Sequence, residues 1–195
     1  MDYLFLRHAE TEVSDRREWH GNADPPLSLK GREHAELAAK TLREKEPDIA
    51  TIITSDCTRA AETAEAFRRV LQRKVIHDPG LRERDLGEWA GLTQSEIERG
   101  WPGQLDAWRD RRIAGPPSGE TDEQVAKRVV QALLRHINGS PTPEPKLVIA
   151  HAGLLRGLLA VYEKRDEEIS PLCGRWVKLM SNDGSITIGD RVTSL

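Results

Sequence analysis

Short apolar runs alternate with longer amphipathic segments along this chain of 195 residues, and that alternation restricts its fold more than any other feature. The apolar runs predict buried strands at residues 3–7, 49–54, 75–77 and 147–150. Apolar residues at helical spacing predict helices at residues 28–45, 57–71, 121–137 and 154–162. Strands alternating with helices are typical of an α/β fold, here three layers with a mostly parallel central sheet and helices on both faces.

The end of the chain departs from this alternation. Residues 175–180 and 185–188 flank the turn sequence Asn182-Asp183-Gly184, which predicts an antiparallel hairpin. The outer strand of a hairpin presents unpaired backbone groups. This edge therefore gives two copies of the chain a surface on which to form a homodimer.

The length fits residues 1–195 as a single domain. The segment at about 88–119 is less regular than the rest and predicts a small cap, with one short helix opened by a capping-box sequence at Thr93. Trp101 and Trp108, together with the nearby arginines, can bind an aromatic or additional anionic part of a substrate. In the alternative interpretation, which we favour, the tryptophans pack inward and the arginines are solvated. The arginines concerned are Arg109, Arg111 and Arg112.

Composition excludes several classes of protein. No apolar run is long enough to span a membrane. A net charge of −3 with mixed signs gives no basis for a nucleic-acid partner. Cys57 and Cys173 are the only cysteines and form neither a disulfide framework nor a zinc motif, which favours a cytoplasmic protein.

Charged and imidazole side chains follow three of the predicted strands. Arg7 and His8 follow the first strand, Arg59 lies one turn into the helix after the second, and His151 follows the fourth. Ligands of such sheets bind beyond the carboxyl ends of the strands. Guanidinium groups bind phosphate oxygens, helix N-termini add N–H donors, and an imidazole can serve as the nucleophile. The pattern therefore favours a phosphoryl-transfer site.

A metal site is the competing interpretation of His8 and His151. Arg7 and Arg59 would repel a divalent cation, and the spacing matches no zinc or calcium motif, so we expect no metal. Neither G-x-S-x-G nor a Walker motif is present.

Six ordered segments carry a resemblance to a known family. They read L-F-L-R-H-A-E-T-E at 4–12, D-P-P-L-S-L-K-G at 24–31, T-S-D-C-T-R-A-A-E-T-A at 54–64, L-R-E-R-D-L-G-E-W-A-G at 81–91, S-G-E-T at 118–121 and V-I-A-H-A-G at 148–153. In this order they resemble the histidine phosphatase superfamily, which includes the cofactor-dependent phosphoglycerate mutases. The resemblance covers residues 3 to about 160 and implies the phosphoglycerate mutase-like fold.

The resemblance implies a role for each catalytic candidate. His8 would take the phosphoryl group, while Arg7, Arg59 and His151 would bind it. Glu83 would protonate the leaving oxygen and then activate water, although its spacing alone indicates only a solvated loop charge. The implied enzyme is a metal-independent phosphatase without a cofactor that hydrolyses a small phosphorylated metabolite.

The chain departs from the family pattern at three positions. Ala9 and Ala152 replace glycines that follow the two histidines, and Ser14 stands where many members carry asparagine. We expect Thr11, Ser14 and Ala152 to contact the substrate together with Arg7 and Arg59. These departures put the substrate pocket in question more than the catalytic core.

The length of the cap bears on the reaction. Mutases of the family carry a longer insertion between the acid and the second histidine, whereas only 68 residues separate Glu83 from His151. This favours a phosphatase. The alternatives are a cofactor-dependent phosphoglycerate mutase and a phosphoprotein phosphatase or phospho-ligand binding regulator, the last supported by the changes to Ala9 and Ala152.

Overall fold

A computed structural model of the chain describes residues 1–12, 24–45, 48–139, 144–180, 184–193 and 195. The strands are β1 (Asp2–Arg7), β2 (Thr51–Thr54), β3 (Val75–His77), β4 (Lys146–Ala150), β5 (Gly174–Leu179) and β6 (Ile186–Val192). The helices are α1 (Leu29–Lys45), α2 (Thr58–Leu71), α3 (Gln94–Gly100), α4 (Gln104–Arg109), α5 (Asp122–Gly139) and α6 (Ala152–Glu163). Within these ranges, no helix combines the length and the apolar character that crossing a bilayer requires.

The six strands form one sheet in the order β3-β2-β4-β1-β5-β6. The pairs within β3-β2-β4-β1 are parallel, while β5 runs antiparallel to β1 and β6 antiparallel to β5. This confirms the predicted α/β fold with its mostly parallel sheet and C-terminal hairpin. Two residues of the predicted hairpin turn, 182 and 183, lie outside the described residues.

Both faces of the sheet are covered, and the alternation of side chains along β1 shows how. Tyr3 and Phe5 point into a cluster with α5 and α6, whereas Leu4 and Leu6 point into a second cluster with α1 and α2. All four side chains are almost completely buried. A strand buried on both faces needs a continuous apolar run, which explains the sequence pattern.

Side-chain caps fix the starts of three helices. The hydroxyl of Ser28 accepts a hydrogen bond from the backbone N–H of Gly31 at 2.9 Å. Thr93 forms the predicted capping box at the start of α3, and Thr121 exchanges hydrogen bonds with Gln124 at the start of α5. These contacts satisfy N–H groups that the first helical turn leaves unpaired.

The segment 88–119 contains α3 and α4, and a short 3-10 helix at Gly87–Trp89 leads into it. Trp89 is fully buried in a small apolar cluster, against which Trp101 and Trp108 pack. Arg111 is not simply solvated, because its guanidinium donates to the carbonyl of Ala160 on α6 at 2.6 Å. The tryptophans therefore pack inward, while one of the arginines holds this segment against the main body.

Candidate active site

Strand register brings the two histidines together. Strands β1 and β4 are parallel neighbours in which Arg7 lies opposite Ala150, so the next residues, His8 and His151, leave the sheet side by side. Their ring centroids are 5.3 Å apart and the ring planes are inclined by 64°. Both side chains are buried. The two rings therefore lie close enough to contact one small anion.

The second arginine reaches the same point from α2. Arg59 lies in the first turn of that helix and is only 2% exposed. Its Nε–H group donates to Nε2 of His8 at 3.2 Å. The same guanidinium lies 3.4 Å from a carboxylate oxygen of Asp24, whose other oxygen accepts from the N–H of Thr58. A fixed cation is thus oriented beside the His8 ring.

A backbone carbonyl determines which nitrogen of His8 carries the proton. Nδ1 of His8 lies 2.7 Å from the carbonyl oxygen of Ala9, which can only accept a hydrogen bond. Nδ1 is therefore the protonated nitrogen, and Nε2 presents its lone pair toward Arg59. The N–H of Ala9 donates to the hydroxyl of Thr63, which in turn donates to the carbonyl of Arg59. This chain of bonds fixes the His8 segment against α2.

His151 presents buried ring nitrogens that are available to a ligand. Neither ring nitrogen has a hydrogen-bond partner in the described part of the chain, although both are buried. Burial lowers the pKa of His151 well below its ordinary value, and the His8 ring and the guanidinium groups of Arg59, Arg7 and Arg128 lower it further. The free protein therefore holds a neutral imidazole whose nitrogens can bond a ligand.

Arg7 supplies the second fixed charge. One terminal nitrogen donates to the carbonyl of Ile169 at 2.8 Å, while its buried Nε has no partner among the described residues. Burial lowers the pKa of Arg7 and the negative charge of Glu83 raises it. Burial is the larger effect, so the pKa of Arg7 lies below its ordinary value, but a guanidinium keeps its proton at neutral pH and the unpartnered Nε–H can bind an oxyanion.

Glu83 lies at the same edge of the sheet, although its spacing in the sequence indicated only a solvated charge. Its carboxylate accepts hydrogen bonds from the N–H groups of Arg84 at 2.7 Å and Gly153 at 3.3 Å. Gly153 is the second residue of α6, two positions after His151. A Cβ at Gly153 would lie 2.4 Å from a carboxylate oxygen of Glu83. The absence of a side chain at Gly153 is what allows the carboxylate to approach the helix.

The predicted substrate-binding residues lie in different surroundings. Thr11 is buried and forms an isolated β-bridge with Leu27. Ser14 falls outside the described residues. Ala152 begins α6 and lines an open cavity of about 300 Å³ together with Arg7. The structure therefore places Ala152 next to a candidate site residue and leaves Ser14 without a described position.

Neither alanine that replaces a glycine of the family pattern obstructs the site. The Ala9 methyl group is fully buried in the cluster with α1 and α2. The Ala152 methyl group packs against the cluster on the other face. The glycine that the geometry requires is Gly153, which the chain retains. The changes to Ala9 and Ala152 thus give no structural support for a catalytically weak regulator.

A second, smaller cavity of about 40 Å³ lies between α6 and the segment 88–119. Arg84 on its wall is 2% exposed and pairs with Asp122, but its Nε and one terminal nitrogen have no partner in the described ranges. The guanidinium lies over the Trp108 ring at 5.1 Å. The wall carries four arginines against two aspartates, which makes it cationic: Arg84, Arg109, Arg111, Arg156, Asp122 and Asp166.

Sequence reasoning did not single out Thr63, Asp24 or Gly153. All three lie within the segments that resemble the family, so their positions were visible while their contacts were not. Among the described residues no group of three or more histidine, cysteine, aspartate or glutamate side chains is arranged to hold a metal ion.

Comparisons with known proteins agree with this geometry. A glucosyl-3-phosphoglycerate phosphatase of Mycolicibacterium vanbaalenii is 32% identical over 187 residues, covering 90% of this chain and 82% of that protein. A 2,3-bisphosphoglycerate-dependent phosphoglycerate mutase of Bartonella henselae is 30% identical over 170 residues, covering 85% of this chain and 82% of the mutase.

Solved structures and a family profile lead to the same assignment. A mycobacterial glucosyl-3-phosphoglycerate phosphatase in complex with VO3 superposes with a TM-score of 0.82 at 28% identity, covering 96% of this chain and 95% of that one. A profile of the histidine phosphatase superfamily (branch 1) matches residues 3–172. The chain therefore belongs to the histidine phosphatase superfamily (branch 1) and is a phosphoric monoester hydrolase.

Proposed function

We propose that the chain hydrolyses a small phosphorylated metabolite through a phosphohistidine formed on Nε2 of His8. The observation that carries this proposal is the arrangement around that nitrogen. Nδ1 holds the proton against the Ala9 carbonyl, so Nε2 carries the lone pair, which accepts a hydrogen bond from Nε of Arg59 at 3.2 Å. The neutral ring of His151 lies beside it.

In the first half of the reaction, Nε2 of His8 attacks phosphorus and the bond from phosphorus to the leaving oxygen breaks. Glu83, in its protonated form, gives its proton to that oxygen, and the alcohol departs. Arg7, Arg59 and His151 bond the phosphoryl oxygens, so they stabilise the charge that spreads over the phosphoryl group in the transition state.

In the second half, the Glu83 carboxylate removes a proton from water as the water oxygen attacks phosphorus. The bond between phosphorus and Nε2 breaks, inorganic phosphate forms, and Glu83 is again protonated. One residue thus serves as acid and then as base. The two guanidinium groups supply fixed positive charge, and we therefore propose that the reaction is independent of metal ions and unaffected by EDTA.

Two variants and one labelling experiment test this mechanism. A phosphatase whose nucleophile is His8 should yield an acid-labile phosphoenzyme after brief reaction with labelled substrate. His8→Ala should abolish both the label and turnover. Glu83→Gln should slow turnover of an alkyl phosphate by about 10²–10⁴-fold, the usual contribution of general acid catalysis. Full hydrolysis by His8→Ala would refute the proposal.

The cavities support a leaving group with hydroxyl and carboxylate groups. The cavity beside Arg7 and Ala152 carries the carboxylates of Asp166, Glu167 and Glu168, which can accept hydrogen bonds from hydroxyls. The smaller cationic cavity suits a carboxylate. Glucosyl-3-phosphoglycerate, the substrate named for the mycobacterial relatives, combines both features, and we propose a substrate of this class with segment 88–119 acting as its cap.

A matched pair of substrates tests this specificity. 3-Phosphoglycerate and glycerol 3-phosphate share the phosphate ester and the secondary hydroxyl, and they differ by a carboxylate in place of a hydroxymethyl group. We expect a higher kcat/KM for the carboxylate and a higher value still for glucosyl-3-phosphoglycerate. Equal values for all three would contradict the assignment of the cavities.

The Bartonella relative keeps the mutase as the second candidate. A mutase must return the phosphoryl group to a glycerate before water reaches the phosphohistidine. A coupled assay with 3-phosphoglycerate and 2,3-bisphosphoglycerate distinguishes the two reactions. Phosphate release should exceed mutase turnover, and the reverse order would contradict the assignment as a phosphatase.

We also propose that the chain forms a homodimer and resides in the cytoplasm. The outer edge of β6 has no strand neighbour within the described sheet, so it can pair with a second copy. Both cysteines are free thiols, which fits a reducing compartment. Light scattering at micromolar concentration should give twice the chain mass, and cell fractionation should recover the protein in the cytoplasmic fraction.

A further inference from the structure

We propose that Arg128 and Glu120 form a positioning pair that holds Glu83 in place for proton transfer, an inference that rests on the proposed function. The hydrogen bonds given for the two side chains go to each other and to segment 80–85, and Arg128 acts on the phosphoryl site only through its charge, which lowers the pKa of His151. Arg128 lies on α5 and Glu120 precedes that helix, about forty residues after Glu83 in the chain. Both side chains are about three-quarters buried, with 25% and 23% exposed.

Arg128 binds both Glu120 and the backbone just before Glu83. Its Nε and one terminal nitrogen donate to the two carboxylate oxygens of Glu120 at 2.9 and 2.7 Å. Its other terminal nitrogen donates to the carbonyls of Gly80 at 2.9 Å and Arg82 at 3.0 Å. One planar guanidinium thus joins a carboxylate to two backbone groups just before Glu83.

Glu120 binds the backbone on the other side of Glu83. Its carboxylate also accepts from the N–H of Asp85 at 3.0 Å, and its own N–H donates to the carbonyl of Asp85 at 2.9 Å. Segment 80–85 is therefore tied to the pair both before and after Glu83. Because Glu83 itself is held by N–H groups of Arg84 and Gly153, a shift of this segment would change its distance to the leaving oxygen.

The ionic state of the pair favours this role. Burial raises the pKa of Glu120, but the hydrogen bonds from Arg128 and from the Asp85 N–H outweigh it, so the pKa lies below its ordinary value. An ionised carboxylate and a guanidinium with two parallel N–H···O bonds form a directional contact. A lysine cannot reproduce it, since an ammonium is a point charge without the planar fork.

Leaving-group dependence separates a positioning role from a merely structural one. p-Nitrophenolate departs without a proton, whereas the alkoxide of 3-phosphoglycerate needs one from Glu83. Because kcat/KM reports the steps through departure of the leaving group, a misplaced Glu83 should lower kcat/KM for 3-phosphoglycerate far more than for p-nitrophenyl phosphate. A general loss of folded enzyme would lower both values equally.

The experiment compares Arg128→Gln, Arg128→Lys, Glu120→Gln and Glu83→Gln with the wild type on both substrates. For Arg128→Gln we expect kcat/KM for 3-phosphoglycerate to fall by about 10²-fold, the scale of a 1 Å misplacement of a catalytic group. Arg128→Lys and Glu120→Gln should show the same selectivity to a smaller extent. Lys127→Gln, which removes the neighbouring exposed charge on the same helix, should match the wild type.

Vanadate inhibition and the Glu83→Gln variant distinguish a failure of the inference from a failure of the proposed function. The inhibition constant for vanadate should change far less than kcat/KM for 3-phosphoglycerate in the Arg128 and Glu120 variants, because every residue proposed to bond the phosphoryl group is retained and Arg128 acts on that site only through its charge. A change of equal size in both quantities would contradict the positioning role. If Glu83→Gln is selective and the Arg128 variants lower both substrates equally or neither, the inference is wrong and the proposed function stands. If Glu83→Gln itself shows no selectivity, the acid role of Glu83 in the proposed mechanism is wrong, and the inference about the positioning pair fails with it.

Discussion

At the residue scale, a single missing methyl group decides where the Glu83 carboxylate can lie. In Gly153→Ala the new Cβ would lie 2.4 Å from one carboxylate oxygen and 3.2 Å from the Cβ of Arg84. The carboxylate is the far end of a flexible side chain, so it can move away at little cost in stability. We therefore expect a melting temperature close to that of the wild type and a lower kcat on 3-phosphoglycerate.

The matched control for that change is Ala152→Gly, one position earlier on the same helix. This substitution restores the glycine of the family pattern and introduces no new contact with Glu83. It should retain most of the activity. Its free energy of unfolding should fall only by the small helix-propensity contribution of alanine. A Gly153→Ala enzyme with full activity would show that the carboxylate is not needed where it lies.

His151 predicts a dependence of stability on pH. Its pKa in the folded protein lies well below the ordinary value of 6.5. At a pH between the pKa of the folded protein and that of the unfolded chain, the unfolded chain binds a proton that the folded protein does not. Stability therefore rises with pH in this window and falls as the pH is lowered, by at most about 1.4 kcal/mol per pH unit for one proton. Urea unfolding at pH 7 and pH 5.5 should show this loss, and His151→Gln should reduce it.

The other histidines provide a check on that assignment. His34 and His77 are exposed, so replacing either by glutamine should leave the pH dependence as in the wild type. A His151→Gln protein that keeps the full slope would place the responsible proton elsewhere.

At this scale, most of the candidate site residues could be predicted from the sequence. Arg7, His8, Arg59 and His151 are recognisable because each follows the carboxyl end of a strand, where topology brings ligands together. Glu83 is different, since it lies in a loop and no periodicity marks it. Only its resemblance to a family motif indicated it, because the N–H groups that hold it belong to residues distant in sequence.

At the scale of elements, one buried carboxylate joins β3 to α5. Asp78 is 6% exposed and accepts hydrogen bonds from the N–H of Gly80, from Nε2 of His136 and from Arg135. It therefore fixes the turn that leads from β3 into the Glu83 segment. Asp78→Ala would leave these donors unpaired, and we expect the free energy of unfolding to fall by about 2–3 kcal/mol.

The pH dependence of this contact has a definite sign. Burial raises the pKa of Asp78, but the hydrogen bonds outweigh it, and the pKa lies below its ordinary value of 3.8. The stabilisation is present above that value and is lost as the pH falls through the pKa of the folded protein. Urea unfolding should therefore give a smaller difference between wild type and Asp78→Asn at pH 2.5 than at pH 6, and an equal difference would contradict this account.

The elements themselves were largely predictable, and the reason is their simplicity. Buried strands such as β1 and β4 are uninterrupted apolar runs, and α1, α3 and α5 begin at residues whose side chains cap them. The packing of segment 88–119 was not predictable in the same way. Its short helices are held by tertiary contacts such as that from Arg111 to the carbonyl of Ala160, which no local pattern indicates.

At the scale of the whole molecule, the sheet gathers cations at one end. The carboxyl ends of β1, β2 and β4 meet there, which brings Arg7 and Arg59 so close that the charge of Arg59 adds to the effect of burial in lowering the pKa of Arg7. The repulsion between these cations lowers the stability of the free protein. A bound anion reduces that repulsion. Catalytic preorganisation and overall stability are therefore coupled through the same side chains.

This coupling predicts how an anion changes the stability of the folded chain. Vanadate at about 100 times its Kd should stabilise the protein by about 2.7 kcal/mol, which corresponds to a rise in melting temperature of roughly 5–10 °C for a chain of this size. Arg7→Met removes a buried cation with an unpartnered Nε and also the hydrogen bond to the Ile169 carbonyl, two opposing effects. The variant should therefore melt close to wild type without vanadate and should lose most of the rise. Lys178→Met, which removes an exposed charge on β5, should behave as wild type in both respects. An Arg7→Met protein that melts lower than wild type and still gains stability from vanadate would mean that the anion is held by other residues.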